Sequence, residues 1–434
     1  MELLVTPPDI PAPARLRTLR PRLPLSVAQP PPAAPHRPRQ KRGVLAASVL
    51  ITTGALALSG CGGSGAASGD EGAKDASGPR IRVSARNGAT DAGLTTGVRV
   101  SGGRLTGVRL VRVDNGAPIK GSVAADGSSW KPSAQLERGT KYQLVANAKD
   151  GRGRTATENA TFTTVSPKNS FTASYTPDGG KTVGVGMPVS IDFDKSITNK
   201  KDVQSHITVT SSSGQQVVGH WFGAQRLDFR PQEYWKAGSK VTMKIDLDGV
   251  KGGGGITGVQ SKTVTFTVGR SQVSTVDMNT QTMTVVRDGK TIKSVPISGG
   301  SPKNPTYNGQ MVISEKLVQT RMDGSTVGFG NPGKTYDIPD VPHAMRLSAS
   351  GTFVHGNYWG SPSVFGRTGT SHGCIGLRDN KGGGGETLGK WFFDQSLVGD
   401  VVVVKNSPER TVTPENGLNG WNLSWSDWQA GSAL

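Results

Sequence analysis

Val241-Thr242-Met243-Lys244-Ile245-Asp246-Leu247-Asp248-Gly249 decides the fold class. Apolar side chains at 241, 243, 245 and 247 alternate with polar ones and then meet an Asp-Gly turn, the period-two pattern of a half-buried strand. Val264, Phe266 and Val268 repeat the alternation and close the unit. Earlier in the chain Tyr142, Leu144, Ala146 and Ala148 run into Asp150-Gly151 in the same way, so two tandem β modules are expected. The chain has 434 residues, 60 of them Gly, and few long apolar runs after residue 60. It reads as mainly β, long enough for about two to four domains.

The modules are placed at 81–166 and 167–269, and their size, patterning and lack of cysteine resemble bacterial immunoglobulin-like domains. Either they are spacers or they bind a ligand. A further β domain is expected over 270–406, opening with Val276, Met278, Met283 and Val285 and closing with the strand Val401 to Val404. Residues 407–434 form a tail in which Trp421, Trp425 and Trp428 share one face of a short helix. That stripe is expected to cover the 270–406 domain, although exposed indoles also stack on sugars.

Residues 1–60 read as a leader. Arg37, Arg39, Lys41 and Arg42 precede an apolar stretch, Gly43 to Leu58, too short to span a bilayer comfortably. Residues 1–35 lack an export pattern, so translation is expected to start further along, near Val27. Leu58-Ser59-Gly60-Cys61 resembles the bacterial lipobox, which implies a diacylated Cys61, an exported protein and a membrane anchor facing the cell wall. A small-residue tether over 61–80 follows. The net charge of +18 falls only to +12 without residues 1–42, so the exported part stays basic. That favours anionic wall or membrane partners or a solvated cationic surface. Nucleic acid is not expected, because no basic block interleaved with aromatics appears beyond the leader.

The second cysteine lies in Thr370-Ser371-His372-Gly373-Cys374-Ile375, preceded by Phe353-Val354-His355-Gly356. Two imidazoles beside one thiol suit nucleophilic catalysis, because a free thiol is mostly protonated at pH 7 and needs a base. An ion pair with His355 is expected to lower the thiol pKa by roughly two units. The amides of Gly373 and Cys374 are candidate oxyanion donors. A buried inert thiol and a satisfied core histidine are the plain alternatives. Two near-adjacent ligands with one distant one do not make a zinc site. Gly328-Phe329-Gly330-Asn331-Pro332-Gly333-Lys334-Thr335 fits a phosphate loop in letters only, since the prolines that follow bar a helix.

His355, fifteen intervening residues and then Ser371-His372-Gly373-Cys374 resemble the signature of the L,D-transpeptidases of the YkuD type. Val295-Pro296-Ile297-Ser298-Gly299-Gly300, Thr306-Tyr307-Asn308-Gly309 and Trp391-Phe392-Phe393-Asp394 are similar to other motifs of that family. The resemblance implies that Cys374 attacks, His355 takes its proton, the Gly356 carbonyl orients the imidazole, and His372 supports the loop or the oxyanion site. It places Met322 and Tyr336 in a lid over the substrate and Trp359 after the base. Two departures stand out: Gly356 where Ser is usual, tolerable if only the carbonyl matters, and Gly376 where Asn or Arg is usual, with Arg378 as the candidate replacement.

The function implied is cross-linking of peptidoglycan stem peptides at their third residues through a cysteine acyl-enzyme, with no cofactor and with carbapenems as inhibitors. The alternatives are an L,D-carboxypeptidase, using water as acceptor, and a non-catalytic adhesion or scaffold lipoprotein.

Overall fold

The computed structural model describes residues 78–328 and 335–434. The leader, Cys61, nearly all of the tether and the phosphate-loop-like residues 329–334 lie outside the described residues. Among the described residues no helix is long and apolar enough to cross a membrane.

The architecture is mainly β, as the alternation implies. Lys141–Lys149 is central in a three-stranded sheet that faces a four-stranded one. Tyr142, Leu144, Ala146 and Ala148 are all buried, in one core with Trp130 of the opposite sheet. The second unit pairs two four-stranded sheets. Lys240–Asp246 and Ser261–Val268 supply Val241, Met243, Ile245, Val264, Phe266 and Val268 to a core shared with Ile191 and Leu227 of the facing sheet. The period-two readings thus hold residue by residue, because each strand has one dry face.

The last unit is a nine-stranded sheet. In chain order its strands are β1 (Gln272–Asp277), β2 (Thr282–Arg287), β3 (Lys290–Ser298), β4 (Gly309–Val312), β5 (Glu315–Asp323), β6 (Asp337–Arg346), β7 (Phe353–Asn357), β8 (Ile375–Arg378) and β9 (Val401–Lys405). Across the sheet they run β4-β9-β1-β2-β3-β8-β7-β6-β5. Helix α1 (Leu388–Gln395) is capped by the Thr387 hydroxyl and drops Phe392 into the core shared by Val354, Ile375 and Leu377. β7 and β8 therefore present one apolar face to α1 and carry His355 and Asn357 on the other.

The tail departs from expectation. Residues 407–423 do follow the 270–406 domain: the Asn419 side chain accepts from Val312 N at 2.9 Å and donates to Leu347 O at 2.9 Å. Its tryptophans, however, pack on the second sandwich. Trp421 Nε1 donates to Gly186 O at 2.7 Å and Trp428 Nε1 to Val218 O at 2.9 Å. The Arg230 guanidinium lies 4.7, 5.4 and 4.3 Å from the ring centres of Trp421, Trp425 and Trp428. The reason is charge: a cation 2 % exposed needs both acceptors and π faces, and Pro231 O, Gln232 O and Leu423 O supply the acceptors. Burial lowers its pKa to about 10, so it stays charged at neutral pH. The tail is thus a strap across two units, which also meet directly where Gly184 N and Gly186 N donate to Val398 O and Gly399 O.

Trp428→Ala should cost about 3–5 kcal/mol in the second sandwich and its strap. Chemical denaturation followed by the remaining tryptophan fluorescence measures it.

Candidate active site

β7 and β8 run parallel with Val354 opposite Ile375 and His355 opposite Gly376. Side chains alternate along each strand, so His355 and Asn357 share a face with Gly376 and with Cys374, one residue before β8. The turn before Cys374 needs Gly373, whose φ of 107° lies in the region that L side chains avoid. Ser371 pins that turn: its hydroxyl donates to Cys374 O at 2.6 Å and accepts from Gly373 N at 3.1 Å. Its own backbone is tied to the segment just after β3 by Ser371 N to Gly299 O at 3.0 Å and Ser301 N to Ser371 O at 2.9 Å. One expectation is corrected here, because the Gly373 amide is engaged by Ser371 and is not a resting oxyanion donor.

His355 is 4 % exposed and its Nδ1 lies 2.9 Å from Gly356 O. A carbonyl only accepts, so Nδ1 carries the proton and Nε2 of the neutral ring is left as a base. The Trp359 ring stacks on it at 5.5 Å and 9°. Burial pushes the His355 pKa below its usual 6.5, opposed by the Gly356 bond and the charge of Asp379. Cys374 is 8 % exposed, its Sγ within 3.6 Å of Gly351 O, and burial pushes its pKa up to about 11. Both shifts run against the expected thiolate–imidazolium pair and favour a neutral thiol beside a neutral imidazole. Separating charge here means stripping two ions of water, and the surroundings do not repay it at rest.

Both groups line one cavity of about 180 Å³. The β5–β6 hairpin contributes Met322, Tyr336 and Ile338, and the rest comes from Asn357, Trp359, Thr370, Ser371 and His372. Tyr336 meets His372 at 4.7 Å between ring centres, and burial, then the nearby Cys374, pushes its pKa up to about 12. Among the described residues no group of three or more His, Cys, Asp or Glu gathers as a metal would require.

The model of the L,D-transpeptidase catalytic domain matches residues 271–404, and that of the bacterial Ig domain matches 89–251. L,D-transpeptidase 2 of Mycobacterium tuberculosis is 33 % identical over 357 residues, 82 % of this chain and 85 % of its own. The chain belongs to the L,D-transpeptidase family. L,D-transpeptidase 5 of Mycobacterium tuberculosis is 27 % identical over 74 % of this chain and 69 % of its own. A solved L,D-transpeptidase in complex with imipenem is 27 % identical, covering 55 % of this chain and all of that one, with a TM-score of 0.46.

Against this L,D-transpeptidase background the two departures resolve differently from the sequence reading. Arg378 is exposed on β8 and does not line the cavity, so it does not replace the residue missing at 376. The space beside Gly376 is taken by Asn357, which stands 3.2 Å from where a Cβ would be. Gly356 is not a tolerated accident. A Cβ there would lie 2.2 Å from Asp379 Oδ2, and one on Gly389 of α1 would lie 2.1 Å from the same atom. Asp379 is buried beside Gly356, accepting from His343 Nδ1 at 2.7 Å, Thr387 Oγ1 at 2.8 Å and Asn380 N at 2.8 Å. Asn357, Asp379 and His343 escaped the sequence reading. Asn357 lies two residues past the base on its own strand, the one signal that pointed to it.

Two outcomes follow. Gly356→Ala should destabilise by about 1–3 kcal/mol through overpacking against a buried carboxylate, measured by thermal and urea unfolding. The Cys374 thiol is held above its ordinary 9.0, so the folded protein keeps it protonated where a free cysteine has ionised. Iodoacetamide alkylation should therefore keep rising towards pH 11, and a rate already level at pH 7 would show a preformed ion pair.

Proposed function

We propose that the protein is a peptidoglycan L,D-transpeptidase acting through a Cys374 acyl-enzyme. The observation that carries this is a neutral His355 with a basic Nε2 lining the same small cavity as the one free cysteine among the described residues. In the first half-reaction the Cys374 thiol proton passes to His355 Nε2 as sulfur bonds to the carbonyl carbon of the donor's third residue. The terminal D-Ala amine leaves with that proton, and the thioester remains. In the second, the side-chain amine of a diamino acid on another stem attacks the thioester carbonyl, His355 takes the amine's surplus proton, and the thiol is released. The product is a cross-link between third residues.

The high resting pKa of Cys374 fits a proton transfer made only when a carbonyl is in place, so His355 acts as general base rather than as a standing counter-ion. In this reading His372 and Tyr336 bound the donor site, Met322 closes it from the hairpin, and Trp359 holds the imidazole plane. Ser371, Gly373 and Gly356 act through the backbone geometry described above. Cys61 carries the lipid that holds the exported protein at the membrane, facing the wall, and the sandwiches set the reach of the site.

Intact mass after incubation with imipenem tests the thiol chemistry. The wild type should gain one carbapenem mass, Cys374→Ala none, and His355→Ala should acylate slower by about a hundredfold or more, the usual size of a lost general base. An unmodified wild type would sink the enzyme reading. With a tetrapeptide muropeptide as donor, a third-residue-linked dimer is expected, and a tripeptide alone would mean that water is the acceptor.

A further inference from the structure

Asn357 is 5 % exposed, yet it lines the cavity together with His355 and Trp359. Its carboxamide is only half used. Oδ1 accepts from Gly360 N at 2.8 Å, which closes the turn after β7. Nδ2 has no protein acceptor among the described residues. That donor is not sealed in the core but opens on the cavity, where a bound ligand can accept from it.

The neighbouring strand, β8, leaves space for this side chain. Gly376 lies across the parallel ladder from His355, and a Cβ on it would stand 3.2 Å from Asn357 Nδ2, 3.3 Å from Asn357 Cβ and 3.3 Å from Ser298 O. Those contacts are tighter than ordinary Cβ contacts, so a side chain at 376 would have to press Asn357 aside by a few tenths of an ångström. One carboxamide fits on this face beside the base and nucleophile, and the chain places it on β7.

We propose that Asn357 Nδ2 donates a hydrogen bond to a backbone carbonyl of the acyl donor, holding the stem peptide across His355 and Cys374. Residues 357 and 376 form an exchangeable pair in which either carries the carboxamide and the other must be small. The inference rests on the transpeptidase reading and deepens it. The ligand group is an uncharged peptide oxygen, because the donor offered is a neutral amide.

Four variants test this with a tetrapeptide muropeptide donor: Asn357→Ala, Asn357→Asp, Gly376→Asn, and Asn357→Ala combined with Gly376→Asn. Loss of one such bond should lower kcat/KM by about tenfold in Asn357→Ala. Asn357→Asp keeps the acceptor for Gly360 N but loses the donor, so it should fall at least as far. Gly376→Asn alone should fall through crowding, and the double variant should recover to within about threefold of the wild type by restoring the donor from β8. Melting temperature and iodoacetamide alkylation of Cys374 report whether the fold and thiol access survive.

Full activity in Asn357→Asp would overturn the proposal, since it would leave Asn357 as a turn closer only. A double variant no better than Asn357→Ala, with an unchanged melting temperature, would also overturn it. Wild-type turnover of the muropeptide tests the enzyme reading, whereas the variant-to-wild-type ratios test Asn357, so the two failures are separable.

Discussion

The parallel pairing of β7 with β8 is the constraint on which the site depends. It sets His355 opposite Gly376 and so puts the imidazole and the thiol of Cys374 on one face of two adjacent strands. The other face is committed to Val354, Ile375 and Leu377 packed with Phe392, and a register slip of one residue would turn the chemistry into the core. The same burial pushes the imidazole pKa down and the thiol pKa up, so both favour their uncharged forms.

Support for the base comes from behind it. Asp379 sits where Gly356 and Gly389 have no side chains, which lets α1 approach β7 closely with a carboxylate enclosed between them. Asp379 is satisfied by His343, Thr387 and the Asn380 amide, and its charge favours the imidazolium form of His355. The glycine that looked like a harmless departure is thus the residue that makes room for this buried group. The strap of residues 407–434 does comparable work at larger scale, joining the nine-stranded sheet to the second sandwich through Asn419, Trp421 and Trp428.

Much of this was legible in the sequence. Period-two patterns located Tyr142 to Ala148 and Val241 to Leu247 because those strands have one wet and one dry face. The spacing from His355 to Cys374 was legible because local chemistry needs those residue types in that order. Arg378, the tryptophan strap and the ion pair were misread for one physical reason. Each depends on what lies across the sheet or in another unit: Asn357 filling the space at Gly376, Arg230 drawing the indoles to the second sandwich, and burial raising the thiol pKa while lowering that of the imidazole. Sequence distance hides all three.

The central claim is that the resting site is uncharged, with His355 poised as a base. Nitrogen NMR of ¹⁵N-histidine-labelled protein tests it most directly, with His355→Gln to assign the ring. At pH 7 the His355 Nδ1 should carry the proton and Nε2 should show the shift of a bare ring nitrogen, with titration only below pH 6.5, the ordinary histidine value. Two protonated nitrogens at pH 7 would mean an imidazolium paired with a thiolate, and would contradict the account.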